Sequence, residues 1–344
     1  MDFVRRFFGP DATAVEIAGD ASTRRFFRVT SRAGLDAGGT GHPTAVLMVH
    51  GEPLAPDAPL FSNHGILSAI GAPVPEILGR NEPEGLVLVE DFGDTTMQRY
   101  LLDANGSRSP KTAPDPKNRI ETALPLYRGA CDLIGLMESR GGQAMRPDDF
   151  AARNALDRDR FLFEMGHFDR HFIRGLRGLT PAPSEERLLQ AFYDDVASAC
   201  DRLPRVYCHR DYQSRNLMIR PGGRLGLVDF QDARMGPYTY DAASLLRDSS
   251  LDLEPALVDE LLDRLVENIG KPLAIGREEF RRDFDLMALQ RNIKDLGTFG
   301  YMATVRGRRD YLEYVPRTQE SIRRTMIGDE RWHEPYQVFA RLAL

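Results

Sequence analysis

Apolar positions recur with two different periods along this chain of 344 residues, and the change of period divides it. In the first ninety residues the runs are short and β-prone: Phe26 to Thr30 and Ala45 to Val49, separated by a glycine-rich stretch over 33–41 that reads as a hairpin loop. A helix over Phe61 to Ile70 follows and is ended by Gly71 and the Pro73-Val74-Pro75 break. Leu86 to Val89 is a compact apolar strand, left by the turn chemistry of Glu90-Asp91-Phe92-Gly93-Asp94. The boundary between two parts falls there, giving residues 1–93 and 94–344.

Beyond it, residues 103–118 are polar and proline-rich and read as an exposed loop. Steps of three and four then predict helices over Ile120 to Ser139, Asn154 to Leu176 and Ser184 to Leu203. Short β-like runs return between Arg205 and Asp229. Helices follow over Leu253 to Ile269, Glu278 to Leu296 and Arg317 to Met326. No internal repeat is visible. The expected class is α+β, a small β-rich N-terminal lobe followed by a large, mainly helical one.

Composition narrows the setting. Apolar residues make 42% of the chain and charged ones 28%, ordinary for a soluble globular enzyme. Against 51 acidic residues stand 45 basic ones, so the net charge of -6 gives no general attraction to nucleic acid or an anionic membrane. Cys131, Cys200 and Cys208 are odd in number and form no Cys-x-x-Cys, which argues against a disulfide framework and for a reducing compartment. No apolar run reaches the roughly 18–20 residues that span a bilayer. A cytoplasmic protein without an obligate protein partner is expected.

The chemistry concentrates in one segment. His209-Arg210-Asp211 is followed by four residues and then Asn216, with apolar runs on both sides. Thirteen residues beyond that Asn, the strand Leu225-Gly226-Leu227-Val228 ends in Asp229. Phosphoryl transfer needs this set: one aspartate accepts the proton of the attacking hydroxyl, while an amide and a second carboxylate hold Mg²⁺ against a triphosphate. The His-x-Asp-x₄-Asn spacing alone arises by chance in about one chain in a hundred of this length. Its strand-flanked setting and the downstream Asp make coincidence far rarer.

With these residues the sequence resembles the aminoglycoside-phosphotransferase/choline-kinase superfamily, a branch of the protein-kinase-like fold. The resemblance implies ATP and Mg²⁺ as cofactors, Asp211 as catalytic base and Asn216 and Asp229 as metal ligands. It also implies His209 and Arg210 as loop supports, with Asp241 bracing the loop. HRDYQSRNLM, VDFQDARMGPYTYDAASLLRD and GDASTRRFFRV further resemble the N-acetylmuramate/N-acetylglucosamine anomeric kinases of bacterial cell-wall recycling.

On the nucleotide side, Gly19 to Arg25 precedes the first clear strand, where backbone N–H groups and Ser22 would approach phosphates. Arg24, Arg25 and Arg28 are candidates to neutralise phosphate charge, with Arg25 taken as the contact. Strand alternation prevents all three from facing one cleft. The resemblance places adenine against the connection after Leu86 to Val89, with Glu90 and Phe92. One departure stands out. The fold usually carries a lysine on its third strand and a glutamate on the next helix, and here Ala45 to His50 and Phe61 to Ile70 contain neither. The anomeric kinases share that absence; an inactive nucleotide-binding adaptor is the other reading of it. His50 reads as a surface histidine.

For the acceptor, Gln231 and Asp232 follow the second metal ligand and are placed to reach sugar hydroxyls; Asp232 has a helix cap or a metal as alternatives. Arg291 and Lys294 share one helix face and are placed to meet a carboxylate. Glu164, His167 and His171 have metal-like spacing but lack the neighbouring residues of known helical metal motifs, and read as ordinary polar positions. The expected reaction is transfer of phosphate from ATP to the anomeric hydroxyl of an N-acetylated amino sugar. Aminoglycoside, choline and homoserine kinases are the alternatives on the same framework.

Overall fold

The computed structural model describes residues 1–17, 24–31, 43–104, 116–251 and 253–344. Ser22, the glycine-rich stretch and the centre of the polar loop lie outside the described residues. Five antiparallel strands open the fold: β1 (Thr13–Ile17), β2 (Arg25–Thr30), β3 (Thr44–Val49), β4 (Ile77–Asn81) and β5 (Leu86–Glu90), in the order β1-β2-β3-β5-β4. The runs marked in the sequence are the three central strands. The two edge strands escape sequence reading because neither buries one clean face.

Alternation along the strands sends side chains to two different cores. Val29, Ala45 and Leu88 meet Phe3, Val4 and Phe8 of α1 (Asp2–Phe8) in a small one. Met48 and Val87 face α2 (Pro59–Ala69), whose Leu60, Ile66 and Leu67 join the main core. Helix α2 starts on a proline, which fits where the N–H has no intrahelical partner.

The rest is helical apart from two short strand pairs. It comprises α3 (Met97–Ala104), α4 (Pro116–Ala144), α5 (Phe150–Arg153), α6 (Arg158–Phe168) and α7 (Pro183–Asp201). Then come α8 (Tyr240–Leu246), α9 (Pro255–Leu265), α10 (Arg277–Thr304), α11 (Val315–Ile327) and α12 (His333–Ala343). The helix expected from Asn154 to Leu176 is divided. Asp157 caps α6 by accepting from the Arg160 N–H at 2.9 Å, and a wider π-helical turn over Asp169–Leu176 continues it.

Helix α10 runs through the middle and packs on α6, α8 and α11. It runs past its expected end at Leu296, and Gly297 and Gly300 beyond that point are contact residues. A Cβ on Gly297 would lie 2.8 Å from the Phe168 backbone, and one on Gly300 would lie 2.4 Å from the His171 carbonyl oxygen. Glycine lets α10 approach the segment over 168–172 closely. Gly300→Ala is therefore expected to lower stability by about 1–3 kcal/mol in thermal or denaturant unfolding. Gly142→Ala, in open space on α4, should instead raise it by about 0.5–1 kcal/mol.

Candidate active site

Two small antiparallel pairs build the site. Strand β6 (Arg205–Cys208) pairs with β9 (Arg234–Pro237), and β7 (Leu217–Ile219) pairs with β8 (Leu225–Leu227). The loop over 209–216 leaves β6, and the segment over 228–233 leaves β8. They lie side by side: the Val228 N–H donates to the Asn216 carbonyl at 3.1 Å, and His209 Nε2–H donates to the Val228 carbonyl at 3.1 Å.

The first loop hangs on Asp241, a fully buried residue in the first turn of α8. Its two carboxylate oxygens accept the backbone N–H groups of His209 (2.6 Å) and Arg210 (3.0 Å). Burial pushes this carboxyl up despite His209, the two N–H donors and Arg291. Arg210 adopts φ 76°, and Asp229 in the neighbouring segment φ 64°. Such left-handed backbone costs on the order of 1–3 kcal/mol at a non-glycine residue, and it persists only where surrounding contacts impose it.

Several of those contacts carry no sequence signature. Asp248 accepts from Ser214 N–H and Oγ at 3.1 and 2.7 Å. Tyr212 donates to the Ala130 carbonyl at 2.9 Å. Asn63, buried in α2, donates to the carbonyls of Gln231 and Ala233, both at 3.0 Å, and accepts from the Tyr207 hydroxyl. That helix lacks the expected glutamate, yet Asn63 ties it to the Asp229 segment. Glu164 turns inward, accepting from Gln290 at 2.9 Å and lying 3.8 Å from Arg210; His167 and His171 stack beside Tyr301 instead.

Asp211 keeps 32% of its side chain exposed, with Lys294 Nζ 3.9 Å away. Burial alone would raise this carboxyl. Lys294, Arg210, Arg291 and His209 together outweigh it and hold Asp211 well below the usual carboxylate range. Asn216 donates its amide N–H to the Asp211 carbonyl at 2.8 Å, so its amide oxygen is the atom left to meet a cation. On Asp229, Oδ1 already accepts Arg24 Nη2 at 3.1 Å and Gln231 Nε2 at 2.9 Å. An exposed carboxylate drawing in a positive charge beside an amide oxygen fits a hard divalent ion.

The other expected residues divide. Arg291 is buried, donates to the Arg210 carbonyl at 3.1 Å and stacks over Tyr240, so its guanidinium supports the loop and not an acceptor. Asp232 accepts from Arg234 at 3.0 Å and lies 3.2 Å from Arg210. Glu90 pairs with Arg220 at 2.8 Å, and Phe92 packs on Gly226 beneath the Arg220 guanidinium. Both side chains are taken up in packing. Arg25 pairs with Glu16 at 2.9 and 3.0 Å and lies over Phe27, away from Asp229. Strand phase decides this: Arg24 and Phe26 share the face opposite to Arg25 and Phe27.

Sequence reading passed over a small hollow of about 50 Å³ at Gln213, two residues beyond Asp211. It is lined by Gln98, Gln213, Arg215, Asp248, Asp295, Thr298 and an aromatic group of Phe299, Tyr311 and Tyr314, whose rings lie 5.9–6.3 Å apart. Thr298 stands one helical turn beyond Lys294. A roomier hollow of about 1220 Å³ opens on the other side of the turn at Asp248 and Ser249. Its arginines are largely paired, Arg281 with Asp259 and Asp285 and Arg324 with Glu320, and it lies away from Asp211.

The chain is similar to several known proteins. A protein named N-acetylmuramate/N-acetylglucosamine kinase from Pseudomonas aeruginosa is 30% identical over 311 residues, 90% of this chain and 82% of its own length. One of the same name from Neisseria meningitidis serogroup B is 29% identical over 310 residues, 89% of this chain and 84% of the relative. The crystal structure of a choline/ethanolamine kinase family protein from Mesorhizobium loti superposes with a TM-score of 0.56 at 16% identity, covering 95% and 92% of the two chains, which establishes the protein-kinase-like fold. Residues 13–274 match the phosphotransferase enzyme family; the chain belongs to that family and is a small-molecule kinase.

Proposed function

We propose that this kinase transfers the γ-phosphate of ATP to the anomeric hydroxyl of N-acetylmuramate or N-acetylglucosamine, in bacterial cell-wall recycling. The observation that carries the reading is the pair of relatives of that name aligned along nine-tenths of the chain. The small hollow at Gln213, read as one edge of the acceptor site, supports it. Its aromatic rings, neutral amides and hydroxyls suit the apolar and polar faces of a sugar ring. Its charged residues are Arg215, Asp295 and Asp248, the last occupied by Ser214 and Ser250.

In this reading the first lobe, residues 1–93, holds the nucleotide and residues 94–344 hold the acceptor. Asp211 orients the acceptor hydroxyl and takes its proton as the new O–P bond forms. Its depressed basicity matches an anomeric hydroxyl, which is more acidic than an ordinary alcohol. Asn216 and Asp229 hold Mg²⁺, which when bound supplies the charge that steadies the triphosphate. Lys294, beside Asp211, offsets negative charge developing at the transferred phosphoryl group. His209, Arg210, Asp241 and Arg291 support the loop, and the charges of Arg210 and Arg291 also help keep Asp211 ionised.

Three outcomes are expected. A panel of N-acetylated sugars, choline, homoserine and aminoglycosides, followed by ADP release, should show turnover with the amino sugars; preference for choline or an aminoglycoside would overturn the acceptor assignment. Asp211→Asn should reduce turnover by about 10²–10⁴-fold, with ATP binding and melting temperature unchanged; near-normal turnover removes Asp211 from its role. Tyr311→Ala should raise the KM for the sugar about tenfold, on the scale of one lost aromatic contact, and leave the KM for ATP as it was.

A further inference from the structure

A triphosphate brings several negative charges into a cleft where water is partly excluded, and a kinase needs fixed cations to meet them. The third strand here, β3, reads Thr-Ala-Val-Leu-Met-Val and supplies none. Three arginines on or next to β2 stand near enough to compensate, and the structure separates them. Arg25 is bound to Glu16 on the far face. Arg28 is clamped by Asp91 at 2.6 and 3.1 Å and by Asp94 at 2.9 Å, at the junction after β5. Arg24 alone of the three reaches the second loop of the active site. It spans 205 positions of sequence to place Nη2 3.1 Å from Asp229 Oδ1, with its side chain 16% exposed.

The position of Arg24 follows from the register. Arg25 pairs with Val49 across β2 and β3, so Arg24 and His50 stand side by side at the open end of that hairpin. Phe26 lies below the Arg24 guanidinium at 5.8 Å. Among the described residues His50 Nε2 is buried without a hydrogen-bond partner. Burial, and then the Arg24 charge, push its imidazole toward the neutral form, which can donate one hydrogen bond without adding charge. The Arg24 guanidinium thus meets the carboxylate proposed to hold the metal, with His50 beside Arg24.

We infer that Arg24 is the phosphate-binding cation of this kinase, in place of the missing strand lysine, and that it exchanges Asp229 for a phosphate oxygen of the nucleotide when the metal takes Asp229. The inference rests on the kinase reading above and adds to it the residue that meets the triphosphate. Its ligand is a nucleoside triphosphate or diphosphate, recognised through phosphate oxygens that a guanidinium grips at two points. Without nucleotide, the same side chain ties the first sheet to the Asp229 segment by charge.

Equilibrium binding of ATP, ADP and adenosine to the full chain in the presence of Mg²⁺, read by calorimetry, tests it. Arg24→Gln is expected to weaken ATP binding about ten- to hundredfold, to leave adenosine binding unchanged, and to keep the wild-type melting temperature within a few degrees. Arg24→Lys should recover part of the loss, since charge returns without the two-point grip. ATP binding within twofold of wild type in Arg24→Gln would reduce Arg24 to a latch between sheet and loop and overturn the inference. Equal weakening of ATP and adenosine would also overturn it, because the damage would then be to the pocket as a whole. Failure of the wild-type chain to bind ATP would overturn the kinase reading itself, a result distinct from the other two.

Discussion

The buried carboxylate of Asp241 is the interaction on which the active site depends. It holds the N–H groups of His209 and Arg210 at 2.6 and 3.0 Å and so fixes the strained turn at Arg210. Without it, two buried donors would be unsatisfied, at about 1–3 kcal/mol each, and the left-handed residue would have nothing to hold it. The turn in place directs the Arg210 carbonyl to Arg291 and its guanidinium toward Glu164 and Asp232. Helices α6, α8 and α10 therefore converge on Arg210. Their combined effect is the placement of Asp211.

Two aspartates only thirty positions apart are driven in opposite directions by their surroundings. Burial dominates at Asp241 and raises it, although it accepts hydrogen bonds from two N–H groups. At Asp211 burial is overcome by Lys294, first among its neighbours, together with Arg210, Arg291 and His209, and the carboxyl falls. One residue is thereby suited to bracing and the other to meeting an acceptor in ionised form. The separation comes from placement, since both are ordinary aspartates in sequence.

Asp229 plays the corresponding part for the other loop. Asn63 holds its segment from α2, Gln231 holds its carboxylate from the next turn, and Arg24 reaches it from the edge of the first sheet. One of the charge contacts between the two halves of the molecule thus falls on the same carboxylate that is proposed to hold the metal. A positive charge that can leave when a stronger one arrives gives that carboxylate a partner in either state.

The loop from His209 to Asn216 and the Asp229 segment were legible in the sequence because they leave short apolar strands, where local pattern fixes geometry, and Asp241 holds the first loop as the family resemblance implied. The three central strands and most helices were legible for the same reason, as periodicity reports which face is buried. What escaped depended on distant partners. Edge strands β1 and β4 lack a clean buried face, and beyond Leu296 helix α10 continues with Gly297 and Gly300 laid against the segment over 168–172. Arg291 and Lys294 share a helix face, yet only the fold turns one onto a backbone carbonyl and the other toward Asp211. Arg24 and Arg25 are adjacent and identical in type, so composition cannot rank them. The phase of β2 and a contact across 205 positions sent one to Asp229 and the other to Glu16. Local covalent spacing determined the chemistry of this protein; tertiary packing decided which of its many charges attend it.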